Sequence, residues 1–138
     1  MNKTASVVYL GDLRTEATHH KSGQKIMTDA PTDNQGRGEA FSPTDLTSTS
    51  LACCMITIMG IAARTHQINI DGTKADVLKI MADQPRRIAR IEIDIYFPKQ
   101  NYTQKEKTVL ERSAKTCPVA KSLHPDCEEL IRFHYQDQ

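Results

Sequence analysis

The sequence contains no tryptophan, and aromatic residues make up only 5% of its 138 residues. Glycine and proline are also scarce, at six residues each, which excludes collagen-like and low-complexity chains. Neither sign of charge dominates, because 18 basic and 17 acidic residues give a formal net charge of +1. Proteins that neutralise many phosphates carry a basic excess, so we expect no nucleic-acid partner. The length and the 25% charged residues are typical of a single globular domain spanning residues 1–138.

The N-terminus lacks the pattern of a secretory signal peptide. Residues 1–4 lead directly into the short apolar segment 5–10, with no basic region followed by an apolar core. This predicts a cytoplasmic location. In a reducing compartment cysteines are expected to be thiols, redox groups or metal ligands rather than structural disulfides. The four cysteines are Cys53, Cys54, Cys117 and Cys127.

One long segment, residues 46–63, carries no charge and reaches the ~18 residues that a membrane span requires. Several hydroxyl side chains and Gly60 interrupt it, and no basic flank or aromatic belt accompanies it. We therefore interpret the segment as a helix buried in protein and expect no membrane interaction. A chain of this size covers such a helix poorly on every side, so a second copy, giving a homodimer, is the expected cover.

The first half of the chain shows strand patterns followed by one long helix. Residues 3–30 alternate short apolar stretches with turn residues, which predicts two or three antiparallel strands, and residues 29–41 form a loop. Ser42 is the predicted N-cap of the long helix, with Pro43 at its first position and Asp45 three residues after the cap. This helix is expected to run to about residue 66.

The second half predicts two strands, two helices and a last strand. Residues 73–82 and 88–97 are the strands, and the latter has the strict alternation of a half-buried strand. A capping box at Thr103 opens a helix that ends near residue 116. A short helix at 119–123 and a strand at 130–135 follow. The order of elements predicts an α+β fold with an antiparallel sheet.

The local context of the cysteines leaves several readings open. Cys53 and Cys54 point about 100° apart on a helix, so one site can use only one of them, and periodicity does not choose between them. Cys117 lies at or next to a helix N-terminus, which predicts a more acidic thiol. The alternative is that a free cysteine simply packs as a small hydrophobe. The spacing of Cys117, His124 and Cys127 fits no usual zinc pattern, so we expect no metal.

Three segments together resemble the OsmC/Ohr family of thiol-dependent hydroperoxide reductases. They are Ser42-Pro43-Thr44-Asp45-Leu46, Ser50-Leu51-Ala52-Cys53-Cys54-Met55 and Cys117-Pro118-Val119-Ala120-Lys121-Ser122-Leu123. The resemblance covers nearly the whole chain. It implies a single OsmC-like domain over residues 1–138, in which antiparallel sheets wrap around a long central cysteine-bearing helix. It also implies an intertwined homodimer.

The resemblance implies roles for two cysteines. The family's reactive cysteine lies eleven residues after the proline of the helix start, which is Cys54 counted from Pro43. The family's resolving cysteine corresponds to Cys117. An arginine from the strand and loop region before the long helix also takes part, and both Arg14 and Arg37 qualify. Arg14 is the first choice, because a strand holds a guanidinium more firmly than a glycine-rich loop does.

The resemblance also implies a glutamate directly after that proline, but this sequence has Thr44 there. In the family this carboxylate holds the arginine over the thiolate. Asp45 and Glu39 are the nearby candidates to replace it, although Asp45 is also explained as the helix cap.

The implied activity is a cysteine-based peroxidase without a cofactor. The Cys54 thiolate reduces an organic hydroperoxide to an alcohol and becomes a sulfenic acid, and Cys117 then closes a disulfide. An external dithiol, lipoyl or thioredoxin-like, reduces the disulfide. Apolar side chains near the helix favour an organic substrate: Leu51, Met55, Ile58 and Phe41. The alternative is a non-enzymatic OsmC-like protein that senses redox state or binds an apolar ligand, an alternative favoured by the missing glutamate.

Overall fold

The computed structural model describes residues 2–137, which group into two compact units. The first unit ends at Thr47 and the second begins at Ser48. Each unit contains its own three-stranded sheet. Together with a long helix and a second, shorter one, these sheets confirm the predicted α+β fold class. The single-domain assignment stays a prediction.

The sheet of the first unit is an antiparallel meander. Its strands are β1 (Ala5–Gly11), β2 (Arg14–His19) and β3 (Lys25–Asp29), in the order β1-β2-β3. The predicted antiparallel strands in this region are therefore confirmed. Both faces of β1 lie open, because the apolar side chains of residues 7–10 are 50–64% exposed although they alternate between the two faces.

The loop after β3 folds tightly back on the end of that strand. It includes a short 3-10 turn at Thr32–Asn34. The N–H of Gly38 donates to the carbonyl of Ala30 at 3.1 Å. A Cβ atom at Gly36 would lie 1.8 Å from the same carbonyl oxygen, so only glycine fits this position.

Helix α1 (Pro43–Thr65) begins as the sequence predicts and ends one residue before the predicted boundary. A reciprocal capping box starts it: the Ser42 hydroxyl accepts from the Asp45 N–H at 3.1 Å, and the Asp45 carboxylate accepts from the Ser42 N–H at 3.0 Å. Its buried side chains recur at helical spacing and form one face: Ser48, Leu51, Ala52, Met55, Met59 and Ala63.

The rest of α1 is only partly covered by the other residues of the described range 2–137. About a third of its most apolar window is buried, and Ile61 is 60% exposed. By length and composition alone α1 could cross a membrane, but core helices of soluble proteins meet the same criterion. The partly buried face is therefore the more informative feature, since it identifies α1 as a packed helix with an open side.

The sheet of the second unit is mixed. Strands β4 (Lys74–Ala82), β5 (Arg87–Lys99) and β6 (Glu128–Gln136) lie in the order β4-β5-β6. The β4–β5 pair is antiparallel, as predicted, but β6 runs parallel to β5, which differs from the predicted antiparallel sheet. The long connection from β5 to β6 explains the difference, because it is long enough to return the chain to the end of the sheet where β5 begins.

That connection contains α2 (Gln104–Ala114) and α3 (Pro118–Ser122). The predicted capping box of α2 is present, with Thr103 as N-cap and Glu106 as its partner. The hydrophobic core of the second unit combines the buried face of α1 with the inward side chains of β5 and α2. Cys117 is a fully buried member of this core, and Cys54 packs against it.

Candidate active site

Two thiols from distant parts of the sequence meet in the second unit. Helix α1 presents Cys54, and Cys117 is the N-cap residue of α3. The two side chains lie close enough for the Cys54 thiol to act on the pKa of Cys117, and both are free thiols in the structure. Cys117 is completely buried, whereas Cys54 is half-buried. Of the two sulfurs, Cys54 is therefore the one that solvent and small molecules reach.

Burial dominates the acidity of Cys117. It raises the pKa of the thiol, and the hydrogen bond with Cys54 raises it further. The N–H groups of Ala120 and Val119 act in the opposite direction but do not outweigh burial. The prediction of a more acidic thiol, made from the helix N-terminus, is therefore wrong. Cys117 therefore holds its proton at neutral pH.

The other two cysteines lie outside this pair. Cys53 precedes Cys54 on α1 but is exposed, as the angle between neighbouring helix positions requires. Cys127 packs against the core that contains Cys117, and burial raises the pKa of its thiol. Its sulfur lies 3.9 Å from the carbonyl oxygen of Glu128. Tertiary packing thus selects Cys54 over Cys53, a choice that periodicity left open.

Apolar side chains surround Cys54 along α1. Leu51, one turn before Cys54, and Met55, directly after it, are fully buried in the core. Ile58, one turn after Cys54, is half-buried. Phe41 belongs to the first unit and is 51% exposed.

The first unit contains a cluster of arginines and carboxylates. Arg14 opens strand β2, and its guanidinium lies 3.4 Å from both Asp29 and Glu39. Arg37 is more exposed, and its carboxylate partners lie farther away, with Asp12 at 3.7 Å and Glu39 at 4.0 Å. Of the two candidate arginines, Arg14 is the one held in place by its surroundings.

Asp29 is a cluster member that the sequence analysis missed. Its carboxylate is completely buried and accepts a hydrogen bond from the Glu39 N–H at 3.0 Å. This bond, together with the Arg14 guanidinium, lowers the pKa of Asp29 although burial opposes the shift. In the sequence Asp29 marks only the start of a polar loop. Its contact with Arg14 depends on the register of β2 against β3, which no local pattern encodes.

The helix start uses the remaining candidate carboxylate. Asp45 forms the capping box with Ser42, and the hydroxyl of Thr44 lies 3.2 Å from that of Ser42. The Asp45 carboxylate is therefore used to cap the start of α1.

No metal cluster is found among residues 2–137, in that no three His, Cys, Asp or Glu side chains are grouped to hold an ion. His124 and Cys127, considered above as ligands together with Cys117, do not form such a group. The imidazole of His124 is exposed and lies 3.8 Å from Asp126.

Comparisons with known proteins agree on one family. A family model described as OsmC-like protein matches residues 36–128. The crystal structure of an osmotic stress induced and detoxification response protein from Psychrobacter arcticus 273-4 is 52% identical in sequence. It covers 97% of each chain with a TM-score of 0.93. No curated protein matches the sequence.

More distant structures share the fold. An organic hydroperoxide resistance protein OsmC from Legionella pneumophila is 13% identical, covers 97% of each chain and has a TM-score of 0.74. An organic hydroperoxide resistance protein from Vibrio cholerae O1 biovar eltor, with captopril bound in one of its active sites, is 10% identical. It covers 96% of this chain and 92% of its own, with a TM-score of 0.71.

Proposed function

Because the chain belongs to the OsmC-like protein family, we propose that it is a thiol-dependent peroxidase that reduces organic hydroperoxides to alcohols. Relatives of the same fold are named for detoxification response and for hydroperoxide resistance, which supports a general role in redox stress. The observation that carries the finer proposal is the pair of neighbouring free thiols, Cys54 and Cys117.

The pair suits a two-step oxidation in which atoms and electrons balance. The Cys54 thiolate attacks the outer oxygen of the hydroperoxide, the O–O bond breaks, and the alkoxide leaves and takes a proton to become the alcohol. Cys54 is then a sulfenic acid. The Cys117 sulfur attacks the Cys54 sulfur, which forms a disulfide and releases the hydroxyl with the thiol proton as water.

The division of roles follows from exposure and protonation. The nucleophile must be reached by substrate, and Cys54 is the more accessible sulfur. Cys117 is buried and its pKa is raised, so it remains a protonated thiol until a sulfenic acid forms beside it. This order protects the resolving thiol from direct oxidation, since thiolate character and exposure govern reaction with peroxides.

A cationic group is required to keep Cys54 ionised in apolar surroundings and to stabilise the leaving oxygen. The family resemblance assigns this role to an arginine, and we assign it to Arg14 first. Two carboxylates and the start of β2 hold Arg14, whereas Arg37 is exposed and loosely paired. Glu39 contacts both guanidinium groups.

An organic hydroperoxide suits the site better than hydrogen peroxide. Ile58, one turn after Cys54 on α1, is half-buried and leaves hydrocarbon accessible beside the thiol, so an apolar substrate tail gains by leaving water there. The oxidised pair needs two electrons and two protons, and an external dithiol of the lipoyl or thioredoxin type supplies both by disulfide exchange.

We further propose that the protein functions as a homodimer. In the first unit, β1 exposes a continuous run of four apolar side chains on both faces. In the second unit, the open side of α1 borders a groove of about 480 Å³ that includes Thr57, Gly60 and Ile61. Exposed apolar surface of this extent is typical of an interface. A second copy of the chain is the occupant that the family resemblance implies.

A redox sensor is the second candidate, favoured by Thr44 at the position of the family's glutamate. A sensor needs the same thiol pair, because peroxide would still convert it into a disulfide, but it needs no rapid turnover. A protein that only binds an apolar ligand would need neither disulfide formation nor turnover.

Consumption of cumene hydroperoxide with dithiothreitol as reductant tests the proposal. We expect turnover by the wild type, complete loss in Cys54→Ser, and retention of most activity in Cys53→Ser, the matched control one residue away. When Cys117→Ser is treated with the hydroperoxide in the absence of dithiothreitol, a sulfenic acid should accumulate at Cys54 and react with dimedone, because the resolving thiol is gone.

The outcomes separate the candidates. Failure of the wild type to consume cumene or tert-butyl hydroperoxide would overturn the proposed peroxidase activity. Disulfide formation without sustained turnover would indicate the sensor. The rates at which dihydrolipoamide and reduced thioredoxin reduce the Cys54–Cys117 disulfide identify the class of reductant.

A further inference from the structure

The register of the first sheet places Arg14 and Asp29 directly opposite each other. They are partners in the antiparallel ladder of β2 and β3, so their side chains leave the same face of the sheet. The guanidinium and the carboxylate are 3.4 Å apart. A cross-strand pair of this kind is built into the sheet and does not depend on the conformation of a loop.

Asp29 is anchored more firmly than the other carboxylate that contacts Arg14. Its backbone N–H donates to the carbonyl of Phe41 at 3.0 Å, and its carboxylate accepts from the backbone of Glu39. The Asp29 side chain is 0% exposed, whereas that of Glu39 is 58% exposed. A buried carboxylate is screened less by water, so it constrains the guanidinium more strongly at equal distance.

The pair also has unused hydrogen-bonding capacity. In the described part of the chain, the Nε of Arg14 and the Oδ1 of Asp29 are both buried and without a hydrogen-bond partner. One is a donor and the other an acceptor, and they belong to side chains already in contact. Buried polar atoms are nearly always paired, and two parallel bonds are the favoured geometry of arginine with a carboxylate.

We propose that Asp29 is the positioning residue for Arg14 and replaces the glutamate that the family resemblance would place at Thr44. This inference rests on the proposed function, in which Arg14 stabilises the thiolate and the leaving oxygen. The neighbouring carboxylate, Asp45, is used by the capping box of α1. Asp29 thus supplies the fixed negative charge from the sheet instead of from the helix start.

The change Asp29→Asn tests the proposal, because it keeps the shape of the side chain and removes its charge. We expect kcat/KM for cumene hydroperoxide to fall about 10- to 100-fold, the effect of losing a charged hydrogen bond. In a Cys53→Ser/Cys127→Ser background, the pH midpoint for alkylation of Cys54 by iodoacetamide should rise. Arg14→Gln should raise that midpoint by the same amount.

The double variant separates positioning from a structural role. If Asp29 acts through Arg14, Asp29→Asn causes no further loss of kcat/KM in the Arg14→Gln background. A further loss there would overturn the proposal. Glu16→Gln is the matched control. Glu16 lies on β2, the same strand as Arg14, and its carboxylate pairs with Lys25 at 3.5 Å. This variant should leave both the activity and the alkylation profile unchanged.

A measurement on the wild-type protein keeps the proposal testable if Asp29→Asn does not fold. The Arg14 Nε–H should exchange with water much more slowly than that of the exposed Arg112, as a buried group bonded to Asp29 must. Equally fast exchange would overturn the pairing. If the wild type consumes no hydroperoxide, the proposed function fails, while the exchange and alkylation experiments still decide whether Asp29 positions Arg14.

Discussion

At Cys117 two environments act on one thiol in opposite directions. The N–H groups at the start of α3 favour the thiolate, and the hydrophobic core favours the neutral thiol. Burial prevails, because the side chain is completely enclosed and α3 is only five residues long. The position of a cysteine relative to a helix can be read from the sequence. How deeply the packed core encloses it cannot.

The raised pKa of Cys117 predicts a pH-dependent contribution to stability. Below the ordinary value of 9.0, both the folded and the unfolded states keep the proton, so the stabilising effect of burying a neutral thiol is complete. Above it the unfolded chain loses the proton first, and this contribution is lost as the pH rises through the folded-state pKa. We therefore expect wild-type stability to fall more steeply than that of Cys117→Ala as the pH rises above 9.0.

Thermal unfolding under reducing conditions measures this difference. Cys127 and Tyr135, whose pKa values are also raised, are present in both proteins and cancel in the comparison. Cys53→Ser is the control and should show the wild-type dependence on pH. Parallel curves for wild type and Cys117→Ala would contradict the prediction.

Among the elements, the loop between β3 and α1 is the one that the candidate site depends on most. It carries Arg37 and Glu39, and its backbone bonds to the buried carboxylate of Asp29. Its path is fixed by the close approach of Gly36 to Ala30. Composition predicted a loop here, but it did not predict which atoms the loop would contact.

Gly36→Ala should loosen this loop. The added methyl group would overlap the carbonyl of Ala30, so the backbone must shift, at a cost on the order of 1–3 kcal/mol. We expect faster hydrogen exchange at the Gly38 and Glu39 amides, which are bonded to Ala30 and Asp29 in the wild type. Asn34→Ala, in the same loop, is the control and should change neither amide. Unchanged exchange in Gly36→Ala would show that the loop is not held by this contact.

The elements also show where local patterns suffice. Both predicted helix caps are present, at Ser42 and at Thr103, because a cap needs only residues three positions apart. The alternation in residues 88–97 gives the buried face of β5 correctly. The predicted antiparallel pairing does not extend to β6, which is parallel to β5, since strand direction depends on how the chain crosses the sheet and not on the strand's own residues.

For the whole molecule, the main feature that a single chain leaves unexplained is its exposed apolar surface. Strand β1 and the open side of α1 expose aliphatic and aromatic side chains that the chain itself does not cover. The sequence predicted this need from the uncharged segment 46–63. The structure adds which faces are open.

We predict a dimer, with twice the mass of a single chain, at micromolar concentration. Val8→Glu and Ile61→Glu should each shift the protein toward the monomer, because a buried unpaired charge opposes association. Leu78→Glu is the matched control, since Leu78 is 55% exposed but lies on β4 beside charged residues. Analytical ultracentrifugation measures the outcome. A wild-type monomer would overturn the dimer proposal and leave the thiol chemistry to be tested by itself.

The sequence alone determined the features that depend on neighbours along the chain: the kinds of elements, the helix starts, the buried face of β5 and the family resemblance that singles out Cys54 and Cys117. Only the tertiary structure decided the features that depend on residues far apart in sequence. These are the close approach of the two thiols, the raised pKa of Cys117, the parallel β6 and the contact of Arg14 with Asp29. The physical reason is that capping and periodicity act over one or two turns, whereas burial, strand register and ion pairing are set only when the chain packs against itself.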